Sequence, residues 1–183
     1  MPTVANVSAG KPKPGGAIYR APAGTALPTD ATSTLAADFK ELGLVSEDGV
    51  TNNNSPDTNN IKAWGGQTVL IVKNEQADEF TFTLIESLNA EVLATVYGST
   101  NVTVTGSTIA VKATADAIPA AVFVIDVRMT GNYAKRIVIP AGSLSEVGEI
   151  VYKDDEPIGY EITIAALPDS AGVNHYEYIA PAS

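Results

Sequence analysis

Hydrophobic and polar side chains alternate along much of the chain, and this period of two predicts β-strands. In residues 79–85, Phe80, Phe82 and Leu84 fall on one face of an extended strand, while the threonines between them fall on the other. A strand with this pattern has one face for a core and one face for solvent or a partner.

Other predicted strands are short apolar runs bounded by turn residues. They cover residues 17–21, 68–73, 102–105, 109–114, 121–129, 134–139, 149–153 and 159–165. Residues 73–78 are predicted to form the turn that precedes 79–85. The acidic stretch 154–157 is predicted to close a final hairpin between the last two strands.

One segment, residues 87–97, has the period of a helix. Apolar side chains recur at i, i+4 and i+8 from Leu88, Ser87 is a good N-cap, and Gly98 stands where a helix commonly ends. A helix with a single apolar stripe must lie against a sheet. Residues 29–42 are ambiguous, because Asp30 can cap a helix but the threonines that follow disfavour a long one.

Three segments lack such patterns. Residues 1–16 contain Pro12 and Pro14 and are predicted to be a flexible N-terminal arm. Residues 46–66 are predicted to be a long polar loop or hairpin tip, since 51–60 carry no apolar side chain. Residues 166–183 are predicted to be a C-terminal tail.

Strands, one helix and then more strands indicate a mainly β domain over residues 17–165. The expected architecture is a β-sandwich or barrel with one packed helix. The predicted strands carry few lysines and no internal proline, so their edges have little protection against pairing with another chain. Pairing between subunits would satisfy those edges.

Composition narrows the possible chemistry. The chain of 183 residues has no Cys and one His, so thiol nucleophiles, Cys-ligated zinc and multi-His metal sites are excluded, and an enzyme is not expected. The net charge of -10 disfavours binding to nucleic acid or to anionic membrane. Charged residues make up 17%, below the usual level of about 25%, which fits either a surface buried in an assembly or an Ala- and Val-rich domain.

No apolar stretch reaches the ~18 residues needed to span a bilayer, and the N-terminus does not read as a signal peptide. A cytoplasmic site of synthesis is expected. The polar loop holds Glu47, Asp48 and Asp57, but their spacing does not match a calcium-binding loop. His175 and the pair Asp154 and Asp155 are interpreted as surface or interface groups rather than catalytic ones.

Two short segments are distinctive: 46–50 (SEDGV) and 61–66 (IKAWGG). They follow APAG at 21–24 and precede the strands TVLIVK and EFTFTL and a helix ending in VYG. In this order the chain closely resembles the major tail tube proteins of siphophages, particularly those infecting actinobacteria, over about residues 17–165.

The resemblance implies a structural virion protein without catalytic activity or cofactor. Hexameric rings of such proteins stack into a hollow tail tube, and each subunit adds strands to a continuous β-barrel around the lumen. A long loop and the terminal arms reach neighbouring rings. Tubes of contractile tails, pyocins and type VI secretion share this fold.

The implied partners are other copies of the chain, the tape-measure protein, the tail terminator and the baseplate or initiator proteins. Assembly is expected in the bacterial host cytoplasm, and the mature protein in the virion tail. DNA is expected to pass through the lumen during genome ejection without specific binding, and no membrane is involved.

Candidate residues follow from the predicted loop and strand faces. Candidates for contacts between subunits or rings are Glu47, Asp48, Asn53, Asp57 and Trp64. Candidates for the lumen wall are Thr81, Thr83, Asp126, Arg128, Glu161 and Thr163. For Trp64, an intrachain core contact and an intersubunit contact both remain open, and the lumen candidates could equally form an ordinary outer surface.

Two other classes compete with a tube protein. A non-catalytic β-sandwich binding or fibre module would be a stable monomer with aromatic residues concentrated in its loops, whereas here most aromatic residues fall in predicted strands or in the predicted helix. A small hydrolase would need a nucleophile and base, for which this sequence supplies one His and no Cys.

Overall fold

The structure is a computed structural model of the chain. It describes residues 3, 6–14 and 16–182, and it describes 57–58 and 73–76 without their side chains. Residues 1, 2, 4, 5 and 15 of the predicted N-terminal arm and residue 183 of the predicted tail therefore lie outside the described part.

Strands account for most of the regular structure. In chain order they are β1 (Gly10–Pro12), β2 (Ile18–Pro22), β3 (Lys40–Glu41), β4 (Val45–Lys62), β5 (Thr68–Leu84), β6 (Val102–Thr105), β7 (Thr108–Val111), β8 (Ala121–Met129), β9 (Tyr133–Val147), β10 (Tyr160–Ala166) and β11 (Tyr176–Pro181). Helix α1 (Ala90–Tyr97) and a short 3-10 turn (Ser99–Asn101) lie between β5 and β6. The predicted mainly β fold with one helix is confirmed for the described residues.

Nine strands form one antiparallel sheet in the order β3-β2-β8-β9-β10-β5-β4. β1 pairs with β8 beyond the end of β2, and β11 pairs with the first half of β9. β6 and β7 form a separate hairpin. Pairing among the described residues leaves the sheet open at β3 and β4, so the predicted barrel is not closed within one chain.

The main core lies on the side of the sheet that α1 covers. Buried and outward side chains alternate along β10, and α1 adds Val92, Leu93 and Val96 to the same cluster. Large buried residues of this cluster are Ile18, Leu42, Phe80, Phe82, Leu84, Phe123, Ile125, Ile139, Ile162 and Ile164. Each such side chain contributes about 1.5–3 kcal/mol by leaving water.

The opposite side of the sheet is covered only over β2, β8 and the first half of β9. The segment 23–39 crosses it and packs Phe39 against Val122, Val124 and Val138. The rest of this side, over β10, β5 and β4, carries no such layer in the described part of the chain. One sheet therefore has a packed region and a bare region on the same side.

A buried ion pair fixes the covering segment. Arg136 donates to both carboxylate oxygens of Asp126, at 2.7 and 3.0 Å, and also to the backbone oxygens of Asp30 and Ser33 at 3.2 and 2.9 Å. Lys13 lies 3.2 Å from Asp126. One guanidinium thus ties two adjacent strands to the segment packed on them.

The ambiguous segment 29–42 contains no helix. Asp30 does act as a cap, because its carboxylate accepts the backbone N–H groups of Ser33 at 2.6 Å and Thr32 at 2.7 Å. These hydrogen bonds, that of Ser33 first, hold the pKa of Asp30 below its ordinary value. They close a local turn and no helix follows.

The predicted helix 87–97 begins later than its sequence suggested. Asn89, not Ser87, is the N-cap, and its side chain accepts the backbone N–H of Glu91 at 3.0 Å. Gly98 follows the last helical residue with φ of 90°, as predicted from its position.

Strand boundaries in the second half also differ from prediction. The predicted turn at 73–78 lies inside β5, which runs unbroken from Thr68 to Leu84. Residues 149–153 are not a strand, so the predicted last hairpin is wrong. β10 instead pairs with the end of β5 and the second half of β9.

The described parts of both terminal segments pair with the sheet. Backbone hydrogen bonds join Ala9 to Thr130 and Lys13 to Asp126, at 3.0 and 3.3 Å, on either side of β1. The predicted tail includes β11, and Asp169 closes the turn before it by accepting the N–H of Val173 and the hydroxyl of Tyr176. These bonds lower the pKa of Asp169.

Candidate assembly surfaces

A long two-stranded hairpin extends beyond the nine-stranded sheet. We call residues 54–78 the hairpin arm, because from Asn54 and Asp78 outward β4 and β5 pair only with each other. Nine residues of β4 at about 3.3 Å each give an arm of ~30 Å. Its tip turns through Gly65 and Gly66, whose φ angles of 108° and 89° suit glycine.

The predicted polar loop 46–66 is therefore mostly a strand. Residues 46–62 belong to β4, and only the tip at 63–66 is a turn. The Asn-rich run 51–60 forms one strand of the hairpin and pairs with residues 71–81 of β5, which are of mixed polarity. Of the two alternatives that the sequence left open, a loop and a hairpin tip, the hairpin forms, but residues 51–60 are one of its strands and its tip lies at 63–66.

The arm carries exposed apolar side chains. Trp64 at the tip is fully exposed, and Val69, Leu70 and Ile71 are each more than half exposed. Successive residues of a strand point to opposite sides, so apolar groups face solvent on both sides of the ribbon. A two-stranded hairpin is marginal alone in water, and apolar groups in such number mark a contact surface.

A polar cluster anchors the arm at its root. Asp78 is buried, and its carboxylate is hydrogen-bonded by the side-chain amide of Asn52 at 2.8 Å and by Nδ1 of His175. The His175 ring also meets Phe80 edge to face at 5.2 Å. His175, interpreted from sequence as a surface or interface group, thus joins the start of β11 to the root of the arm.

The second candidate surface is the bare side of β4, β5, β10 and the end of β9. Cross-strand pairing places Glu161 beside Thr83, and Thr163 beside Thr81, with 3.0 Å between the two threonine hydroxyl oxygens. The surface, here called the polar face, consists of outward side chains between buried ones. Its members are Thr51, Asn53, Glu79, Thr81, Thr83, Glu146, Glu161 and Thr163.

The polar face carries negative charge only. The strand segments that form it, residues 45–53, 79–84, 142–147 and 160–166, contain no Lys or Arg. Glu79, Glu146 and Glu161 provide its carboxylates, and threonine and asparagine fill the positions between them. Such a surface offers hydrogen bonds to water and repels polyanions at close range.

Four of the six lumen candidates meet on the polar face: Thr81, Thr83, Glu161 and Thr163. The assignment of Asp126 to a wet wall is wrong, since Asp126 is buried against Arg136 under the covering segment. Arg128 lies on β8, paired with Lys11 and Ala134, and is separated from the polar face by β9.

The contact candidates are spread along β4. Glu47 and Asp48 lie in an irregularity of the strand, and Asn53 belongs to the polar face. Asp57 is in the arm opposite Glu75, and its side chain lies outside the described residues. Trp64 is at the tip, so the alternative of an intrachain core contact is wrong.

Sequence reasoning missed the arm's apolar side and its root. The run 68–73 was predicted as a strand, which β5 confirms, but its place in the hairpin arm was not predicted. Asp78 directly precedes the predicted strand 79–85 and lies two residues before Phe80, and this spacing could have indicated that its side chain shares the buried face. Its partner His175 lies 97 residues away, and only the fold brings the two together.

Comparison of the sequence with known proteins identifies the family of the chain. The sequence profile of a family described as phage tail tube protein matches residues 12–183, which is nearly the whole chain. No curated protein matches it. The chain belongs to the phage tail tube protein family.

Proposed function

We propose that this subunit assembles with copies of itself into stacked rings that form the hollow tail tube of a siphophage. The observation that carries the proposal is the hairpin arm, a ribbon of about 30 Å with apolar side chains exposed on both sides. Such a ribbon gains stability only when a partner covers it. A neighbouring copy in the same or the next ring is the proposed partner.

Open sheet edges support pairing between copies. The sheet ends at β4 and β3, and β11 pairs with β9 along only one of its own edges among the described residues. Strands with unpaired backbone groups template further pairing. In the proposed closed ring, hexameric as the family resemblance implies, every such edge would be satisfied and a continuous barrel would surround the lumen.

The polar face is proposed to line that barrel. Its carboxylates and hydroxyls would keep the wall wetted, and screening of about 8 Å at physiological salt confines their repulsion to DNA close to the wall. DNA would then pass during ejection without specific binding. The Lys and Arg contacts that hold proteins on DNA have no counterpart in these strand segments.

The remaining partners follow from the same proposal. The tube would form in the host cytoplasm around a tape-measure protein, start from a baseplate or initiator complex and end at a tail terminator. The subunit would contribute no catalysis to these steps. It would contribute to the tube its shape, its unpaired sheet edges and the hairpin arm.

Paired surface substitutions test the proposal. Val69→Ser with Ile71→Ser removes apolar area from the arm, and Leu88→Ser with Val104→Ser removes it from exposed positions elsewhere. We expect the parent and the second variant to form rings or tubes in negative-stain micrographs. The arm variant should stay unassembled while its circular dichroism remains that of the folded parent.

A different result would contradict the proposed role of the hairpin arm as an intersubunit contact. Tubes formed equally by both variants would mean that the apolar ribbon is not an intersubunit contact. A parent that stays monomeric at high concentration, even when an initiator complex is supplied, would contradict self-assembly itself.

A further inference from the structure

An apolar cavity lies beside the first residues of β4. The register of β4 with β5 moves from Val45 opposite Leu84 to Val50 opposite Phe82, so residues 46–49 have no partner on β5. This bulge faces β1 and the end of β8 across a cavity of about 450 Å³. We call this cavity the slot.

The slot combines an apolar floor with an acidic rim. The floor contains Val45, Val50, Ile125 and Val127. The rim on the bulge side holds Glu47 and Asp48, both exposed and without an ion pair among the described residues. Lys11 stands on the β1 side.

One buried polar atom in the slot has no partner. The hydroxyl oxygen of Ser46 is inaccessible to solvent and makes no hydrogen bond within the described part of the chain. Buried polar atoms are nearly always satisfied. Solvent does not reach this oxygen, so an incoming group would pair with it only after residues 46–49 shift.

The tip of the hairpin arm has the complementary chemistry. Trp64 is fully exposed and Ile61 is 44% exposed, which gives a large apolar surface. Lys62 is the sole charged residue between 58 and 72. It makes no ion pair with a described residue.

The tip cannot reach the slot of its own chain. Gly49 and Ala63 are 14 residues apart along the continuous strand β4 and the turn after it, a separation of ~45 Å at about 3.3 Å per residue. Tip and slot thus lie toward opposite ends of one long element. An interaction between such unlike patches joins copies head to tail and propagates along an assembly.

We propose that the hairpin tip of one copy occupies the slot of a second copy, with Trp64 on the apolar floor and Lys62 beside Glu47 and Asp48. The inference rests on the proposed self-assembly and identifies the acceptor of the arm. It also accounts for the two distinctive segments of the sequence, 46–50 and 61–66, as the two halves of one contact. Tryptophan is the residue type most enriched in such anchoring positions.

Cysteine cross-linking tests the contact in the full-length protein, which has no cysteine of its own. A chain with Lys62→Cys is mixed with a chain carrying Glu47→Cys, assembled and then oxidised. The control mixture pairs Lys62→Cys with Leu88→Cys, at an exposed position outside the slot. We expect a disulfide-linked dimer from the first mixture and little from the control.

Charge exchange provides a second readout without cysteine. Trp64→Ala should raise the protein concentration needed for assembly by about thirtyfold, the scale of a hot-spot truncation. Lys62→Glu should raise it by roughly tenfold, and Glu47→Lys with Asp48→Lys should do the same. Combining all three charge changes in one chain should restore most of the loss.

The outcomes separate this inference from the proposed function. Tubes that form but give equal cross-linking in both mixtures, with no rescue by charge exchange, would overturn the slot and leave self-assembly standing. Parent protein that never assembles, measured by light scattering before oxidation, would overturn both.

Discussion

At the scale of single residues, Arg136 holds in place the segment that covers one side of the sheet. It is 1% exposed and holds Asp126 and two backbone oxygens of the covering segment. A buried charge is tolerated only when its partner and its hydrogen bonds are in place. The ion pair, with the hydrogen bonds from Arg136 to Asp30 and Ser33, therefore fixes where segment 23–39 crosses the sheet.

Removing one partner of this ion pair should lower the free energy of unfolding substantially. Arg136→Met leaves Asp126 buried beside only the half-exposed Lys13, and we expect a loss of about 3–5 kcal/mol in the free energy of unfolding. Asp126→Leu combined with Arg136→Met should lose less than Arg136→Met alone, because no unpaired charge remains. Urea unfolding monitored by circular dichroism measures each value.

Lys13→Met is the matched control for that experiment. Its ammonium is more than a third exposed, so its removal should cost less than about 1 kcal/mol. An Arg136→Met variant as stable as the Lys13→Met variant would show that the ion pair does not hold the covering segment.

The same residues show what alternation predicts and what it leaves open. Asp126 shares a strand face with Val122 and Val124, as the period of two requires. Alternation does not reveal whether another segment lies over that face. Here segment 23–39, about 100 positions earlier in the chain, covers that face of β8. Asp126, which was predicted to face solvent, is therefore buried.

At the scale of elements, local pattern identified strand and helix interiors better than their ends. β6 and β8 have the predicted bounds, since each is a short run between turn residues. β9 continues past Pro140 and Gly142, which read as a strand end in the sequence. A register shift between Ala121 and Phe123 on the paired strand β8 accommodates this irregular stretch.

The hairpin arm was predicted only in part, since the strand character of residues 51–60 was missed. Asparagine is poor in strands, so nothing in residues 51–60 favours extended structure locally. Backbone pairing with β5 holds this run extended. A segment whose conformation and exposure serve contact with another molecule is where single-chain reasoning is expected to fail.

The start of α1 gives a direct test at this scale. Asn89→Ala removes the side-chain bond to the N–H of Glu91 and should cost about 1 kcal/mol of stability. Ser87→Ala, at the cap that the sequence suggested, should change stability by less than about 0.5 kcal/mol. Thermal unfolding of the two variants compares them, and a larger loss from Ser87→Ala would mean that the helix starts earlier.

At the scale of the whole molecule, charge and sheet geometry act together. The net charge of -10 is not spread evenly, since the four strand segments of the polar face hold acids and no bases. On a monomer this arrangement would be an ordinary wet surface. In the proposed ring the same carboxylates would repeat around an axis, and their fields would add along the proposed path of the DNA.

Labelling the assembled tube tests which side of the wall this face occupies. Thr163→Cys gives the cysteine-free chain one thiol in the middle of the polar face, where a maleimide gold cluster can be attached. Subunits labelled in this way and mixed at low fraction with parent protein should place gold density within the lumen in cryo-electron micrographs. Val104→Cys, on the separate β6–β7 hairpin, is the matched control for labelling and assembly. Gold on the outer surface of Thr163→Cys tubes would mean that the polar face is the exterior of the tube, and the lumen would then have to be formed by another face of the subunit.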